Sequence, residues 1–300
     1  MTISGSSQKV LFMGLGASGK SSIRSIVFEG KSIDDVKDYH ATINYTRSTK
    51  SIIDSAFQIF DCGGQESFIS VFVGESAEFI FSDVSILIWV VDVSNFDAVS
   101  TSKFYFDLAA KRLSEYSPQA VIFCLFHKID LLLPDMKNQV LDTLKSYFVA
   151  EKGSKIVYHG TTIFDQSIYI AVGDMIQTLI VQNTKAKTVS ESIQEFISQH
   201  QEISGIAVYT DDGLPVFEEG DLAKRIILPA NLFLANYERL SDEFGSGTFK
   251  TTLETDDYIL VFQRIKSELL LTGIARKIAP LQYVLVKMEQ FAEVVNQLLQ

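Results

Sequence analysis

The sequence predicts a mostly parallel α/β sheet followed by a smaller α+β unit, and three observations lead there. First, short apolar runs alternate with amphipathic helical stretches through residues 1–182. Second, each run delivers polar residues at its carboxyl end, where open α/β sheets bind ligands. Third, the order changes after residue 190 to helix, hairpin, helix, three strands and helix.

The elements follow in chain order. Lys9 to Met13 is an apolar run that enters a glycine-rich loop, with a helical pattern from Lys20 to Phe28 behind it. Phe57 to Phe60 runs into Asp61, Ser85 to Val91 into Asp92, and Val121 to Phe126 into His127. These runs lack polar alternation, as strands buried on both faces do. Helical patterns at Lys103 to Tyr116, Asn138 to Phe148 and Ile168 to Val181 separate or follow them. A polar stretch at 183–189 reads as a linker. A helix from Ser190 to Gln201 then leads to two arms around Asp212 and Gly213, a hairpin signal. Residues 221–240 are helical, with Pro229 starting or kinking a helix. Strands at Gly247 to Leu253, Tyr258 to Ile265 and Glu268 to Ile274 precede a closing helix near Ile278 to Leu299. Its apolar positions recur every three or four residues. The expected domains are 1–182, a linker at 183–189, and 190–300.

Composition narrows the function classes. Three hundred residues is about two common domains, and 47% hydrophobic content with 21% charge is globular. The longest apolar run, Ala120 to Phe126, is far short of the ~20 residues a bilayer span needs. Neither end carries a secretory, myristoylation or prenylation signal, so any membrane association is expected through a partner. The net charge is −11, and the half after Val189 carries 9 basic against 17 acidic groups. Such a surface repels a phosphate backbone, which argues against nucleic-acid binding. Cys62 and Cys124 are too few for a disulfide framework or a four-cysteine zinc site; buried free thiols in a reducing, cytoplasmic setting are expected.

Gly14-Leu15-Gly16-Ala17-Ser18-Gly19-Lys20-Ser21 matches G-x-x-x-x-G-K-[ST] between a strand and a helix. Gly14 and Gly19 let the backbone wrap phosphate oxygens, so the amides of Ala17, Ser18 and Gly19 form a cradle at a helix N-terminus. Lys20 supplies positive charge toward the β- and γ-phosphates. The Ser21 hydroxyl suits Mg²⁺, and the Ser22 amide adds a contact near the α-phosphate. Asp61-Cys62-Gly63-Gly64-Gln65 is a D-x-x-G-Q sensor: Asp61 holds Mg²⁺ through a water, Gly64 bonds the γ-phosphate, and Gln65 orients the attacking water. Thr42 is the candidate for completing the metal shell. After the strand ending at Phe126, Asp130 is placed to accept from guanine N1–H and its amino group, with the Lys128 stem over the purine. His127 could donate to the purine or to neighbouring backbone. Thr162 and Ile163 form the third base loop, reaching the base oxygen through backbone N–H groups. Arg24 and Arg47 read as surface residues, so no arginine finger is evident in the chain itself.

The segments Gly19 to Phe28, Asp61 to Phe68 and Phe123 to Leu131 resemble the Rag/Gtr family of Ras-superfamily small GTPases, including the histidine at 127 where most relatives have asparagine. The resemblance implies a P-loop NTPase of the Ras-like G-domain type, followed by a roadblock/longin-like dimerisation domain. It further implies GTP and GDP as ligands with Mg²⁺, hydrolysis that is slow without an activating protein, and exchange factors. Homo- or heterodimers and roadblock-type scaffold partners come with it, as does a role in amino-acid sensing. Gln65 resembles one branch of the family, the A/B type, and Gly-Lys-Ser-Ser the other, so the branch stays open. The alternative is a nucleotide-dependent scaffold with negligible hydrolysis.

Overall fold

A computed structural model describes residues 8–36, 42, 44–150, 153–180, 183–244, 250–265 and 269–299. It divides into two compact units between Ala171 and Val172. The first is built from β1 (Gln8–Met13), α1 (Lys20–Glu29), β2 (Tyr45–Ile52), β3 (Ser55–Cys62), α2 (Glu66–Val73), α3 (Ala77–Phe81), β4 (Val84–Asp92), α4 (Phe96–Tyr116), β5 (Val121–His127), α5 (Lys137–Tyr147), β6 (Lys155–Thr161) and the start of α6 (Ser167–Ile180). Its six strands lie in the order β2-β3-β1-β4-β5-β6, all parallel except β2.

Alternation along β1 splits the core between the two sheet faces. Phe12 meets Phe28 of α1 edge-on, 6.1 Å between ring centres. Leu11 and Met13 point the other way, into a cluster with Trp89, Phe106 and Phe126. The indole of Trp89 is fully buried and donates to Ser102 Oγ at 3.1 Å, so its one polar group is satisfied. Both cysteines are buried free thiols, as expected. Register brings the carboxyl ends of the strands together: Phe12 lies beside Asp61, Asp92 beside His127, and His127 beside Thr161.

One strand escaped the sequence reading. β2 alternates polar and half-buried residues on the sheet edge, and pairs with β3 through a turn in which Ile53 and Asp54 both take positive φ. An edge strand with polar side chains on an exposed face has no apolar run to reveal it.

The second unit contains α7 (Thr184–Gln199), β7 (Ile203–Thr210), β8 (Pro215–Glu219), α8 (Ile227–Phe244), β9 (Lys250–Glu254), β10 (Tyr258–Ile265), β11 (Leu269–Arg276) and α9 (Leu281–Leu298). Its antiparallel sheet runs β8-β7-β11-β10-β9. α7 and α9 pack together through stacked Phe196 and Phe291, 4.2 Å apart. Phe233 of α8 stacks on Phe262 of β10 at 5.6 Å. Pro229 falls in the first turn of α8, where its missing N–H costs no intrahelical bond, so it starts the helix and does not kink it. The segment 183–189, expected as a linker, instead opens α7: Asn183 caps it by accepting from the Ala186 amide, and Ala186 and Val189 are buried. Residues 1–7, 181–182 and 247–249, on which parts of the sequence expectations fall, lie outside the described residues.

Candidate functional site

The loop between β1 and α1 wraps the Lys20 ammonium. Lys20 Nζ donates to the carbonyls of Gly14 at 2.9 Å and Leu15 at 2.8 Å, with Ser18 Oγ at 3.4 Å. Burial pushes this ammonium down to about 8, against the pull of Asp61. An anion beside it would raise it again. Ser22 follows Ser21 in the first turn of α1, half-buried. Gly64 presses against the same loop. A Cβ there would lie 2.5 Å from Lys20 Nζ and 2.6 Å from the Gly16 nitrogen, so only glycine permits the approach.

Three oxygen-bearing side chains from separate segments converge beside Lys20. Ser21 Oγ donates to Asp61 Oδ2 at 2.7 Å and lies 2.9 Å from Thr42 Oγ1. The other Asp61 oxygen, Oδ1, is buried and accepts no hydrogen bond from a described residue. An orphaned carboxylate oxygen beside two hydroxyls is a donor set suited to a hard divalent cation such as Mg²⁺. The residues flanking Thr42, at 41 and 43, lie outside the described residues. Gln65 is exposed and is the N-cap residue of α2, one residue past Gly64.

Arg24 belongs to this cluster, contrary to the sequence expectation of a surface residue. Its Nε lies 3.3 Å from Asp61 Oδ2, and its Nη1 pairs with Glu29. Arg47 is exposed, as the sequence led one to expect, with its guanidinium 5.4 Å from the centre of the Phe60 ring.

At the end of β5, Lys128 adopts positive φ and turns its side chain back. Its Nζ donates to the Ala17 carbonyl at 2.8 Å and to Asp92 Oδ2 at 2.6 Å, linking this loop to the phosphate-loop segment. Burial alone would raise the Asp92 carboxyl, but bonds from Lys128 and Ser94 outweigh it and hold the group below the usual range. The sequence marked Asp92 only as the polar residue closing an apolar run and gave it no role; the available signal was that it ends its strand as His127 ends the next, which the register confirms.

His127 is buried. Its Nδ1 lies 3.0 Å from Thr161 Oγ1, and its ring edge fills the space beside Gly19, where a Cβ would sit 2.6 Å from Cδ2. Gly19 also takes φ +100°, so both space and backbone require glycine there. Burial, with Lys128 adding to it, pushes the imidazole down to about 4. The ring thus stands as a neutral brace between Thr161 and Gly19. Asp130 is exposed in the turn Ile129–Leu131. The Thr162 N–H donates to Ser167 Oγ at 2.9 Å within its own loop, and Ile163 beside it is half-buried. The structure therefore brings together Gly14, Lys20, Ser21, Thr42, Asp61 and Gly64, and separately ties Lys128 to Ala17 and His127 to Gly19.

Comparison with known proteins follows this geometry. Residues 9–214 match the conserved region of Gtr1/RagA G proteins. The GTP-binding protein gtr1 of Schizosaccharomyces pombe is 34% identical over 196 residues, covering 63% of this chain and 61% of that protein. The GTP-binding protein GTR1 of Saccharomyces cerevisiae is 30% identical over 197 residues, covering 64% and 63% respectively. The chain thus spans about three-fifths of the length of these relatives. A solved structure of the Arl6 small GTPase from Trypanosoma brucei overlaps 59% of this chain and all of its own, at 17% identity and a TM-score of 0.46. With the family match extending over more than half of its residues, the chain belongs to the Gtr1/RagA family of G proteins.

Proposed function

We propose that this chain is a guanine-nucleotide switch that binds GTP and GDP with Mg²⁺ and slowly hydrolyses GTP. The convergence of Lys20, Ser21, Thr42, Asp61 and Gly64 at one loop is the observation that carries this reading. The names of the yeast relatives as GTP-binding proteins support it. Ser21 and Thr42 would hold the metal directly and Asp61 through a water. A bound Mg²⁺ would neutralise charge on the β- and γ-phosphate oxygens. The amides of Ala17, Ser18 and Gly19 would orient the phosphates, with Ser22 behind them. Asp130 would select the purine, with Lys128 over its face and Thr162 and Ile163 closing its edge. Gln65 would position the attacking water.

Slow turnover fits the arginines: Arg24 is bound to Asp61 and Glu29, and Arg47 lies over Phe60, so neither is aimed at a transferring phosphoryl group. An activating partner would supply the missing charge. The antiparallel second unit is the proposed dimerisation module, pairing with a like domain in a homo- or heterodimer, with exchange proteins acting on the first unit. Such a switch would act in nutrient signalling, in the cytoplasm or recruited to a membrane by partners, a reading that the family resemblance supports. No described helix is long and apolar enough to cross a membrane. Denaturing the purified chain and identifying the released nucleotide by chromatography tests the reading. Guanine nucleotide is expected, and adenine nucleotide overturns it.

A further inference from the structure

Two residues that face each other across the first unit's site carry backbone strain. Ala17 in the phosphate loop and Lys128 after β5 both take positive φ, 61° and 66°, although neither is glycine. Left-handed backbone costs free energy for any residue with a Cβ, and it persists where the surroundings impose it. Here the two strained residues are joined: Lys128 Nζ donates to the Ala17 carbonyl at 2.8 Å.

That bond alone would leave the ammonium free to swing, since the Lys128 side chain is 30% exposed. Asp92 gives it a direction. Its Oδ2 accepts from the same ammonium at 2.6 Å. Its Oδ1 accepts from the Ser94 hydroxyl at 2.6 Å and from the Ser94 N–H at 2.9 Å. Both carboxylate oxygens are thereby committed. The backbone fixes the place of the group: Asp92 lies beside His127 in register, and the Val93 N–H donates to the His127 carbonyl at 3.0 Å. The contacts thus run from Ser94 through Asp92 and Lys128 to the Ala17 carbonyl. That carbonyl and the Ser18 N–H belong to one planar peptide, so holding the first aims the second the opposite way. The Ser18 N–H makes only a long bond of 3.4 Å, to the Leu15 carbonyl, which a phosphate oxygen would replace.

We propose that Asp92 is a positioning residue for nucleotide retention. Acting through Lys128, it holds Ala17 in its left-handed conformation and keeps the Ser18 N–H aimed at the phosphates. The ion pair suits this task because a charge-assisted hydrogen bond is stronger than a neutral one. The role rests on the guanine-nucleotide reading of the same loop.

Release of fluorescent GDP from the full-length chain with Mg²⁺, chased by excess unlabelled GDP, tests the proposal. Asp92→Ala is expected to speed release by at least about tenfold. Added to Asp92→Ala, Ala17→Gly should recover part of the loss, because glycine takes positive φ without help from Lys128. A purely structural role for Asp92 would not be mended at that position. Added to Lys128→Met, Asp92→Ala should change the rate by less than about twofold, since its effect passes through that lysine. Thermal melting checks folding, and Ser94→Ala, which frees one oxygen of Asp92, is the milder variant if Asp92→Ala unfolds; it should speed release by at least about threefold. Hydrogen exchange across residues 15–19 of nucleotide-free protein should be faster in either variant, a readout that needs no ligand. Unchanged release, full additivity with Lys128→Met, no recovery by Ala17→Gly, or unchanged exchange overturns the proposal. Failure of the unmodified chain to bind GDP would sink the nucleotide reading instead, and the exchange comparison would then decide whether Asp92 holds the loop.

Discussion

Arg24 and Ser21 bind the same oxygen of Asp61: Arg24 Nε lies 3.3 Å from Oδ2 and Ser21 Oγ donates to it at 2.7 Å. Asp61 is fully buried, and the Arg24 side chain is 16% exposed. The guanidinium thus holds one carboxylate oxygen and leaves Oδ1 for another partner. Arg24→Met should cost about 2 kcal/mol in urea unfolding, below the usual range for breaking a fully buried pair because Arg24 is partly solvated. It should also weaken the Mg²⁺ dependence of nucleotide binding, whereas Arg24→Lys should recover part of both.

The position of Arg24 shows where the sequence ran out. The buried stripe of α1 is Ile23, Ile26 and Val27, which helical periodicity identifies at once. Arg24 borders that stripe, and its stem reaches Asp61 from a position that spacing alone reads as solvent-facing. The parallel strands were legible because both of their faces are buried, so their side chains are uniformly apolar. β2 was not, since its edge position permits a polar sequence. The opening of α7 was hidden by its polar outer residues, although Asn183 three residues before buried Ala186 is the capping signal that would have revealed it. For His127, the sequence supplied the residue but not its direction; the space beside Gly19 admits the ring only because glycine has no Cβ.

Gln65 is the exposed N-cap residue of α2, beside the glycine that touches Lys20. Gln65→Leu should leave GTP affinity within about twofold and slow single-turnover phosphate release by at least about tenfold. Equal release rates in the two proteins would reject the water-orienting role and favour a scaffold that holds nucleotide without turning it over.

His127 and Glu218 act in opposite directions on the pH dependence of stability. The imidazole falls from 6.5 to about 4 on folding, so its contribution is complete at neutral pH and is lost as pH drops from 6.5 toward 4. Burial raises the Glu218 carboxyl from 4.5 to about 7, so its contribution is present at low pH and is lost as pH climbs through that window. Each spans about 3 kcal/mol. Denaturant melts across this range should show His127→Asn losing the acid-side decline of the first unit. Glu218→Gln should lose the alkaline-side decline of the second.

Burial pushes the Cys62 thiol up to about 12, with Asp61 adding to it, and pushes the Cys124 thiol up further. Native protein should therefore react with a thiol reagent at least about a hundredfold more slowly than urea-unfolded protein. Rapid labelling of Cys62 in the folded state would show that the segment before Gly63 opens.

The central claim is that one molecule joins the loop around Lys20 to the turn carrying Asp130. Calorimetric titration of GDP and of ADP, each with Mg²⁺, into the nucleotide-free protein measures this directly. The account predicts saturable GDP binding at least about a hundredfold tighter than ADP, with Asp130→Asn erasing most of that preference. No heat with GDP, equal affinity for ADP, or an unchanged preference in Asp130→Asn would contradict it.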